Sequence, residues 1–357
     1  MIEKIRSITT GEHIDNFKKL SELLMCFAQH PAKCDSPEYL LLNAALDESV
    51  KNNGFFTPGS VLHSLMSVAS MIGENKLDRW TGAYPWLTQQ RKTPQKVAVV
   101  MAGNIPLVGF HDFLCVLISG NVFMGKLSQN DRFLLPAIAR ILVHIDARYR
   151  DLIVFAEDKL QDFDAVIATG SNNTSRYFEY YFEKYPHIIR GHRNSLAVLS
   201  GGETPEQLQL LGDDIFTYFG LGCRNVSGLL VPPKYDFTQF VSVMQSFCEI
   251  NDHNKYRNNY DYYKTIFLMN NQPFIDGGFF ILNEDLSINS PISVINFQQY
   301  NSLSEARSFI DKNKNNIQCV VGGIFEGIPT INFGKAQRPE LWDYADNVDT
   351  MEFLNNI

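Results

Sequence analysis

The chain has 357 residues, enough for two or three domains and a sizeable core. Its 45% hydrophobic and 20% charged residues are those of an ordinary globular protein. A count of 31 Lys plus Arg against 39 Asp plus Glu leaves a formal charge of −8, which argues against the basic face that a nucleic-acid partner needs. The six cysteines, Cys26, Cys34, Cys115, Cys223, Cys248 and Cys319, form no CxxC pair, so no metal site is expected. The start, Met1-Ile2-Glu3-Lys4-Ile5-Arg6, lacks the apolar run of a signal peptide. The most apolar stretch, Asn104 to Met124, contains His111 and Asp112 and reads as a buried helix plus a strand, not a membrane span. The expected setting is the cytoplasm, with reduced thiols.

Residues 1 to about 90 read as helical: Phe17, Leu20, Leu23, Leu24 and Phe27 recur at helical spacing, as do Leu62, Leu65, Met66 and Ala69. Trp80, Tyr84, Pro85, Trp86 and Leu87 form an aromatic turn region. No chemistry is visible in this segment, whose expected work is packing. From residue 94 the pattern changes. Val97-Ala98-Val99-Val100-Met101 is a continuous apolar strand and Ala102-Gly103-Asn104 a turn. Pro106 suits the first position of a helix whose face is Leu107, Phe110, Leu114 and Leu117. Gly120 ends it, and Val122 to Leu127 is the next strand. Both strands of this βαβ unit are apolar enough to be buried on two faces.

A helix from Leu134 to Ile145 follows, then short strands at Leu152 to Phe155 and Ala165 to Ala168. The turn Thr169-Gly170-Ser171 opens a helix running to about Tyr185. This alternation predicts a doubly wound, mostly parallel sheet. A second set begins near residue 195, with a strand from Ser195 to Leu199. A helix from Thr204 to Tyr218 follows, with Thr204 as N-cap and Pro205 at its first position. Gly228-Leu229-Leu230-Val231 is a strand, residues 236–250 a helix, and the Asn- and Tyr-rich residues 251–264 an exposed loop or polar helix. Strands at Phe279 to Leu282, Ile292 to Phe297 and Cys319 to Gly322 alternate with a helix from Ser304 to Lys312.

Cys223 lies in Phe219-Gly220-Leu221-Gly222-Cys223-Arg224-Asn225, on a turn between a helix and a strand. The spaced glycines let another molecule come close, and the cation of Arg224 would favour the thiolate, the form that attacks carbonyls. The alternative is a buried structural thiol. Asn104, at the carboxyl end of a parallel strand, could donate to a developing oxyanion or satisfy its own turn. Lys126 could reach a cofactor ribose or phosphate or be a solvated strand end. Gly170 and Ser171 open a helix, a natural anion site, although no full G-x-G-x-x-G fingerprint is present. Arg190-Gly191-His192-Arg193-Asn194-Ser195 reads as a basic turn before a strand that could hold a phosphate or carry a proton, and His192 could be a catalytic base or simply hydrogen-bond the turn. Glu203, Asp213 and Asp214 lie near Cys223 in sequence with nothing to place them in a pocket.

Together these pieces resemble the aldehyde dehydrogenase superfamily. Ala102-Gly103-Asn104-Ile105-Pro106-Leu107 through Gly120 to Lys126 is similar to its asparagine-proline to lysine block. Thr169-Gly170-Ser171 is similar to its cofactor loop, Gly220-Leu221-Gly222-Cys223 to its catalytic cysteine motif, and Ser290-Pro291-Ile292 with Val294 to Phe297 to a later block. Order and spacing agree over residues 97 to about 325, and the closest resemblance is to the acyl-CoA reductase branch, which includes the fatty acyl reductase of bacterial luminescence.

The resemblance implies an aldehyde dehydrogenase-like α/β fold of two doubly wound domains with the active site between them. It implies a helical segment at 1–93, a Rossmann-like cofactor domain at 94–194, a catalytic domain at 195–325 and a C-terminal segment at 326–357 as a candidate homo-oligomer contact. It makes Cys223 the nucleophile, with Asn104 and the Cys223 backbone N–H as oxyanion donors, each worth about 3–4 kcal/mol. Lys126 would touch the adenosine ribose or its phosphate, and Gly170 and Ser171 would line the site of NADPH or NADH. Two departures stand out. Hydrolytic members carry a water-activating glutamate upstream of the cysteine, where this chain has Arg190 to Asn194 with no carboxylate. Ser175 stands where a second cofactor-loop glycine is expected.

The expected function is reduction of an acyl-CoA, or an acyl-carrier thioester, to the aldehyde through a cysteine acyl-enzyme. The rivals are an aldehyde dehydrogenase running in the oxidative direction and a non-catalytic scaffold or acyl-carrier partner on the same fold.

Overall fold

The structure, a computed structural model, describes residues 8–32, 34–89 and 93–357. Residues 1–6, read above for a signal peptide, lie outside them. The chain divides into two compact units, one of residues 1–191 with 340–357, the other of residues 192–339.

The first unit opens with four helices, α1 (Thr10–Gln29), α2 (Pro37–Asn52), α3 (Pro58–Ile72) and α4 (Lys76–Gly82). Their starts are written locally: Thr9 and Glu12 form a reciprocal capping box on α1, and Ser36 and Thr57 cap α2 and α3 with proline at the first turn. Phe17, Leu20, Leu24 and Phe27 of α1 are wholly buried, as the periodicity predicts.

The alternating part runs β1 (Lys96–Val100), α5 (Phe110–Ile118), β2 (Val122–Lys126), α6 (Leu134–Ile145), β3 (Ile153–Phe155), β4 (Ala165–Thr169), α7 (Asn172–Phe182) and β5 (His187–Arg190). These strands form one five-stranded sheet in the order β3-β2-β1-β4-β5, every pair parallel. Val97 and Val99 of the central strand are buried, each contributing roughly 1.5–3 kcal/mol of transfer free energy that offsets part of the chain entropy lost on folding. The chain runs from β1 to β2 on one side and later returns to place β4 on the other, so the carboxyl ends of β1 and β4 form a topological switch point, the place where open α/β sheets commonly bind ligands.

Two expectations need correction here. Pro106 does not start a helix; α5 begins at Phe110. Leu107 has a left-handed backbone (φ 59°) and gives its N–H to Asp131 Oδ2 at 2.7 Å, so the chain cannot enter a helix there. Arg190 is not on an open basic turn. It ends β5, is 4% exposed, and donates to Asp112 Oδ2 at 2.6 Å and to Thr350 Oγ1 at 2.8 Å. Removing either member of such a buried charge pair typically costs about 3–5 kcal/mol, so the guanidinium is committed to structure and not to a phosphate.

The second unit contains β6 (Asn194–Val198), α8 (Pro205–Phe216), β7 (Val226–Val231), α9 (Phe237–Met244), α10 (Asn254–Met269), β8 (Ile275–Asp276), β9 (Ile281–Glu284), β10 (Val294–Gln299), α11 (Leu303–Lys312) and β11 (Ile317–Gly322). Its sheet has the order β11-β6-β7-β10-β9-β8, parallel throughout except for the β8–β9 pair. The segment at 251–264, left open between loop and polar helix, is mostly helix α10, capped by His253. The helix expected to reach Tyr218 stops at Phe216. The chain then returns to the first unit, where α12 (Thr350–Asn355) brings Thr350 to Arg190 and buries Met351 and Leu354. Among the described residues no helix is long and apolar enough to cross a membrane.

One buried group gives this fold a pH dependence. His13 is 1% exposed, with Nδ1 2.8 Å from the Tyr149 hydroxyl. Burial holds its pKa down to about 4, against an ordinary value near 6.5 in the unfolded chain. As pH falls below 6.5 the unfolded chain takes a proton that the folded one refuses until about pH 4, so stability is lost across that window. Urea denaturation of His13→Gln and the parent at pH 7 and pH 5 checks this. The parent should lose about 2 kcal/mol more than the variant between the two.

Candidate active site

The first unit gathers four of the sequence-derived candidates along one edge of its sheet. Val100, the last residue of β1, is flanked in register by Lys126 of β2 and Ala168 of β4. Asn104 follows β1, Lys126 ends β2, and Gly170 and Ser171 follow β4, so all four lie at the carboxyl ends of adjacent parallel strands. Lys126 Nζ donates to the backbone carbonyls of Glu157 and Asp158, both at 2.6 Å. An ammonium has three donors, so these two bonds leave one uncommitted. Ser171 caps α7 by accepting from the Thr174 N–H, and the positive end of that helix faces the same edge. A Cβ on Gly170 would sit 3.0 Å from Thr174 Cβ, so any side chain there would press on the first turn of α7. A cation, a helix N-terminus and a small residue along one sheet edge are groups that fit an anionic dinucleotide.

The second unit holds Cys223, and it sits at the opposite kind of strand end. Cys223 precedes β7, and the amino ends of β6, β7, β10 and β11 bring His192, Cys223, Ser293 and Cys319 to one side of the sheet. The turn is strained. Tyr218 (φ 56°) and Phe219 (φ 61°) are both left-handed, followed by Gly220 (φ 75°), where no Cβ penalty applies. Each aromatic costs about 1–2 kcal/mol in that conformation.

Asn225 offsets this cost. Its side chain is buried, accepts from the Gly222 N–H at 2.8 Å, and donates to the carbonyls of Asp214 (3.1 Å), Ile215 (3.1 Å) and Thr217 (2.7 Å) at the end of α8. One amide thus satisfies the orphan carbonyls of a helix terminus and fixes the residue before the cysteine. On the other side, Ser195 Oγ donates to the Cys223 carbonyl at 3.0 Å and lies 3.1 Å from Cys319 Sγ. With the hydroxyl proton given to Cys223, the Cys319 thiol is the donor to Ser195.

Arg224, next to Cys223, also has a structural partner. Its Nε donates to the Ala336 carbonyl at 2.5 Å. The N–H groups of Gly334 and Ala336 go to Asp214 at 2.7 and 2.8 Å. Burial pushes the Asp214 carboxyl up to about 6 against the pull of those two N–H groups. Asp214 is therefore a clamp for the 334–336 loop. Glu203 closes its own turn, accepting from Ser200 and Gly201.

A cleft of about 240 Å³ opens on this turn within the second unit. Phe219, Gly220 and Gly222 form one wall, Tyr256 and Ile292 are apolar lining, and His192 contributes a polar group. Phe219 is held there by the His253 ring, 4.3 Å away between centroids. His192 is exposed. Sequence reasoning missed Asn225, Ser195 and Tyr256. Asn225 carried a signal in hindsight, because an asparagine two residues past a Gly-Leu-Gly-Cys turn has backbone groups within reach on both sides. Ser195 and Tyr256 had none, since only the sheet register and α10 bring them to the site. Among the described residues no group of three or more His, Cys, Asp or Glu side chains could hold a metal ion.

Comparison with solved structures identifies the fold. The NAD+-bound aldehyde dehydrogenase of Mycobacterium tuberculosis superposes with a TM-score of 0.61 at 13% identity, over 91% of this chain and 77% of that one. The lactaldehyde dehydrogenase of Escherichia coli gives 0.61 at 14% identity, over 90% and 75%, and an NADP-dependent enzyme of E. coli gives 0.64 at 11%, over 90% and 75%. The fold is that of the aldehyde dehydrogenases. The sequence also matches the family model described as Acyl-CoA reductase (LuxC) over residues 55–246, more than half of the chain. The chain belongs to this acyl-CoA reductase family. A search of curated proteins gives no match.

The Asn225 contacts are open to direct measurement. Asn225→Ala leaves a buried N–H and three carbonyls short of partners and should cost about 2–4 kcal/mol in urea denaturation. Asn225→Asp keeps the acceptor for Gly222 but turns an oxygen toward the three carbonyls, and should cost at least as much. Parent-like stability in both variants would remove the amide from its assigned role.

Proposed function

We propose that this protein reduces an acyl-CoA, or another acyl thioester, to the corresponding aldehyde through an acyl-enzyme on Cys223. The observation that carries the reading is the Cys223 turn: a partly exposed thiol whose neighbours are fixed by Asn225 and Ser195, beside a cleft, in a chain of the acyl-CoA reductase family.

The Cys223 thiolate attacks the thioester carbonyl carbon, and the oxyanion is met by the Asn104 amide and the Cys223 backbone N–H. The C–S bond to the carrier then breaks, its electron pair leaving as a thiolate that takes a proton, for which exposed His192 is the proposed donor. Lys126, Gly170 and Ser171 would hold NADPH or NADH, which would supply the hydride that reduces the acyl carbon. The resulting thiohemiacetal expels the Cys223 thiolate and releases the aldehyde.

Residues 190–194 contain no carboxylate, and Arg190 within them is tied to Asp112 and Thr350. That segment offers no base to activate water against the acyl-enzyme. The intermediate then waits for hydride, which favours the reductive over the hydrolytic direction.

Protein incubated with acyl-CoA and no cofactor should gain the mass of one acyl group on Cys223. Adding NADPH or NADH should discharge it with loss of reduced-cofactor absorbance. Cys223→Ala should show neither, with turnover lowered by at least about 10³-fold. No adduct from any acyl-CoA, together with aldehyde oxidation that needs no CoA, would overturn the reading in favour of the oxidative enzyme. Parent and Cys223→Ala inert alike would favour a scaffold.

A further inference from the structure

The loop that carries Asn104 is held from both sides by one short turn. Residues 128–131 follow β2 directly, two positions past Lys126, and close on themselves through the Asp131 N–H to the Ser128 carbonyl at 3.2 Å. Just before Asn104, Gly103 is pressed against this turn. A Cβ on Gly103 would sit 2.5 Å from Ser128 Oγ and 3.1 Å from the Asp131 nitrogen. Just after Asn104, Asp131 Oδ2 accepts the Leu107 N–H at 2.7 Å. Leu107 stands in the left-handed conformation, φ 59°, which a branched L-residue adopts only when something holds it.

Asp131 itself is costly to place. It is 8% exposed, and its second oxygen, Oδ1, is buried with no hydrogen-bond partner. Burial pushes its carboxyl up to about 6, opposed by the Leu107 N–H. A buried carboxylate with one unsatisfied oxygen, bonded to one strained residue, is weak as a stabilising device. Such strain persists where a particular local geometry is needed. Further along, Ser64 of α3 donates to the Pro106 carbonyl at 2.7 Å, so the residues between Gly103 and Leu107 span three anchors.

Resting on the reading above, in which Asn104 donates to the oxyanion, we propose that Asp131 is a positioning residue. By fixing Leu107 in its left-handed conformation it holds the Gly103–Leu107 loop so that the Asn104 amide is presented at the carboxyl edge of β1. Asp131 touches no reacting atom; it acts through the loop. Because its turn follows Lys126 with only Leu127 between them, the same backbone that places the cofactor-binding lysine also places the oxyanion donor.

The test has two arms, and both use the full chain. The first is amide hydrogen exchange over residues 101–109. Asp131→Ala should lose protection at Leu107, and Asp131→Asn, whose amide oxygen still accepts that N–H, should retain most of it. Equal protection in parent and Asp131→Ala overturns the clamp whether or not the protein is a reductase. The second is steady-state kinetics. Asp131→Ala should lower kcat with acyl-CoA by about tenfold or more, since small misplacements of catalytic groups have effects of this size, with the KM for reduced cofactor changed less than twofold. Asp131→Asn should lie nearer the parent. Leu107→Gly added to Asp131→Ala, where glycine adopts the left-handed conformation freely, should recover a large part of kcat. A kcat unchanged in Asp131→Ala, or lost with no recovery in the double variant, overturns the positioning role. A parent that never acylates Cys223 overturns the function reading instead, and leaves the exchange result to judge the clamp alone.

Discussion

The side chain of Asn225 is the contact on which the candidate site depends most. Two aromatic residues, Tyr218 and Phe219, stand in a conformation that neither would adopt alone. The amide that follows them makes this tolerable by bonding three carbonyls at the end of α8 and the N–H of Gly222. The strained pair turns the Phe219 ring onto His253 and leaves Gly220, Leu221 and Gly222 lining the cleft. A hydrophobic side chain of similar size at position 225 would fill the same space and satisfy none of these backbone groups, which is the asymmetry that makes a buried polar network specify one conformation.

The two units solve site construction in opposite ways. In the first, Asn104, Lys126 and Gly170 use the common device of α/β sheets, loops at the carboxyl ends of parallel strands. In the second, Cys223 leads into β7 and lies at an amino end. Strand direction there offers no ready-made crevice, and the polar contacts that fix the turn come from side chains: Asn225 below, Ser195 and Cys319 beside it. Both loops are nonetheless braced by side chains remote in sequence: Asp131 and Ser64 hold the loop that bears Asn104, and Ser195 holds the Cys223 carbonyl.

Much of this was legible in the sequence. The apolar runs at Val97 to Met101 and Val122 to Leu127 marked β1 and β2 because buried parallel strands need continuous hydrophobic residues. Thr204 and Pro205 marked the start of α8 because capping is local. The misses share a cause, which is tertiary contact overriding a local signal. Pro106 promised a helix start that Asp131, 25 positions further along, diverts at Leu107. Arg190 looked like a free surface cation because Asp112 and Thr350, its partners, are remote in sequence. The N-terminal helices, read as packing alone, supply Ser64 to the loop that bears Asn104.

The bond from Arg190 to Thr350 has a consequence for the order of assembly. Residues 192–339 form a unit whose two ends both enter the other unit. Leu341, Met351 and Leu354, all fully buried in the first unit, are synthesised after the whole of the second. A domain of continuous sequence can close its core as it leaves the ribosome; this one leaves with the Asp112–Arg190 pair lacking its cover until the last helix arrives. The core of the first unit therefore cannot close until residues 340–357 are made, after the whole of the second unit has left the ribosome.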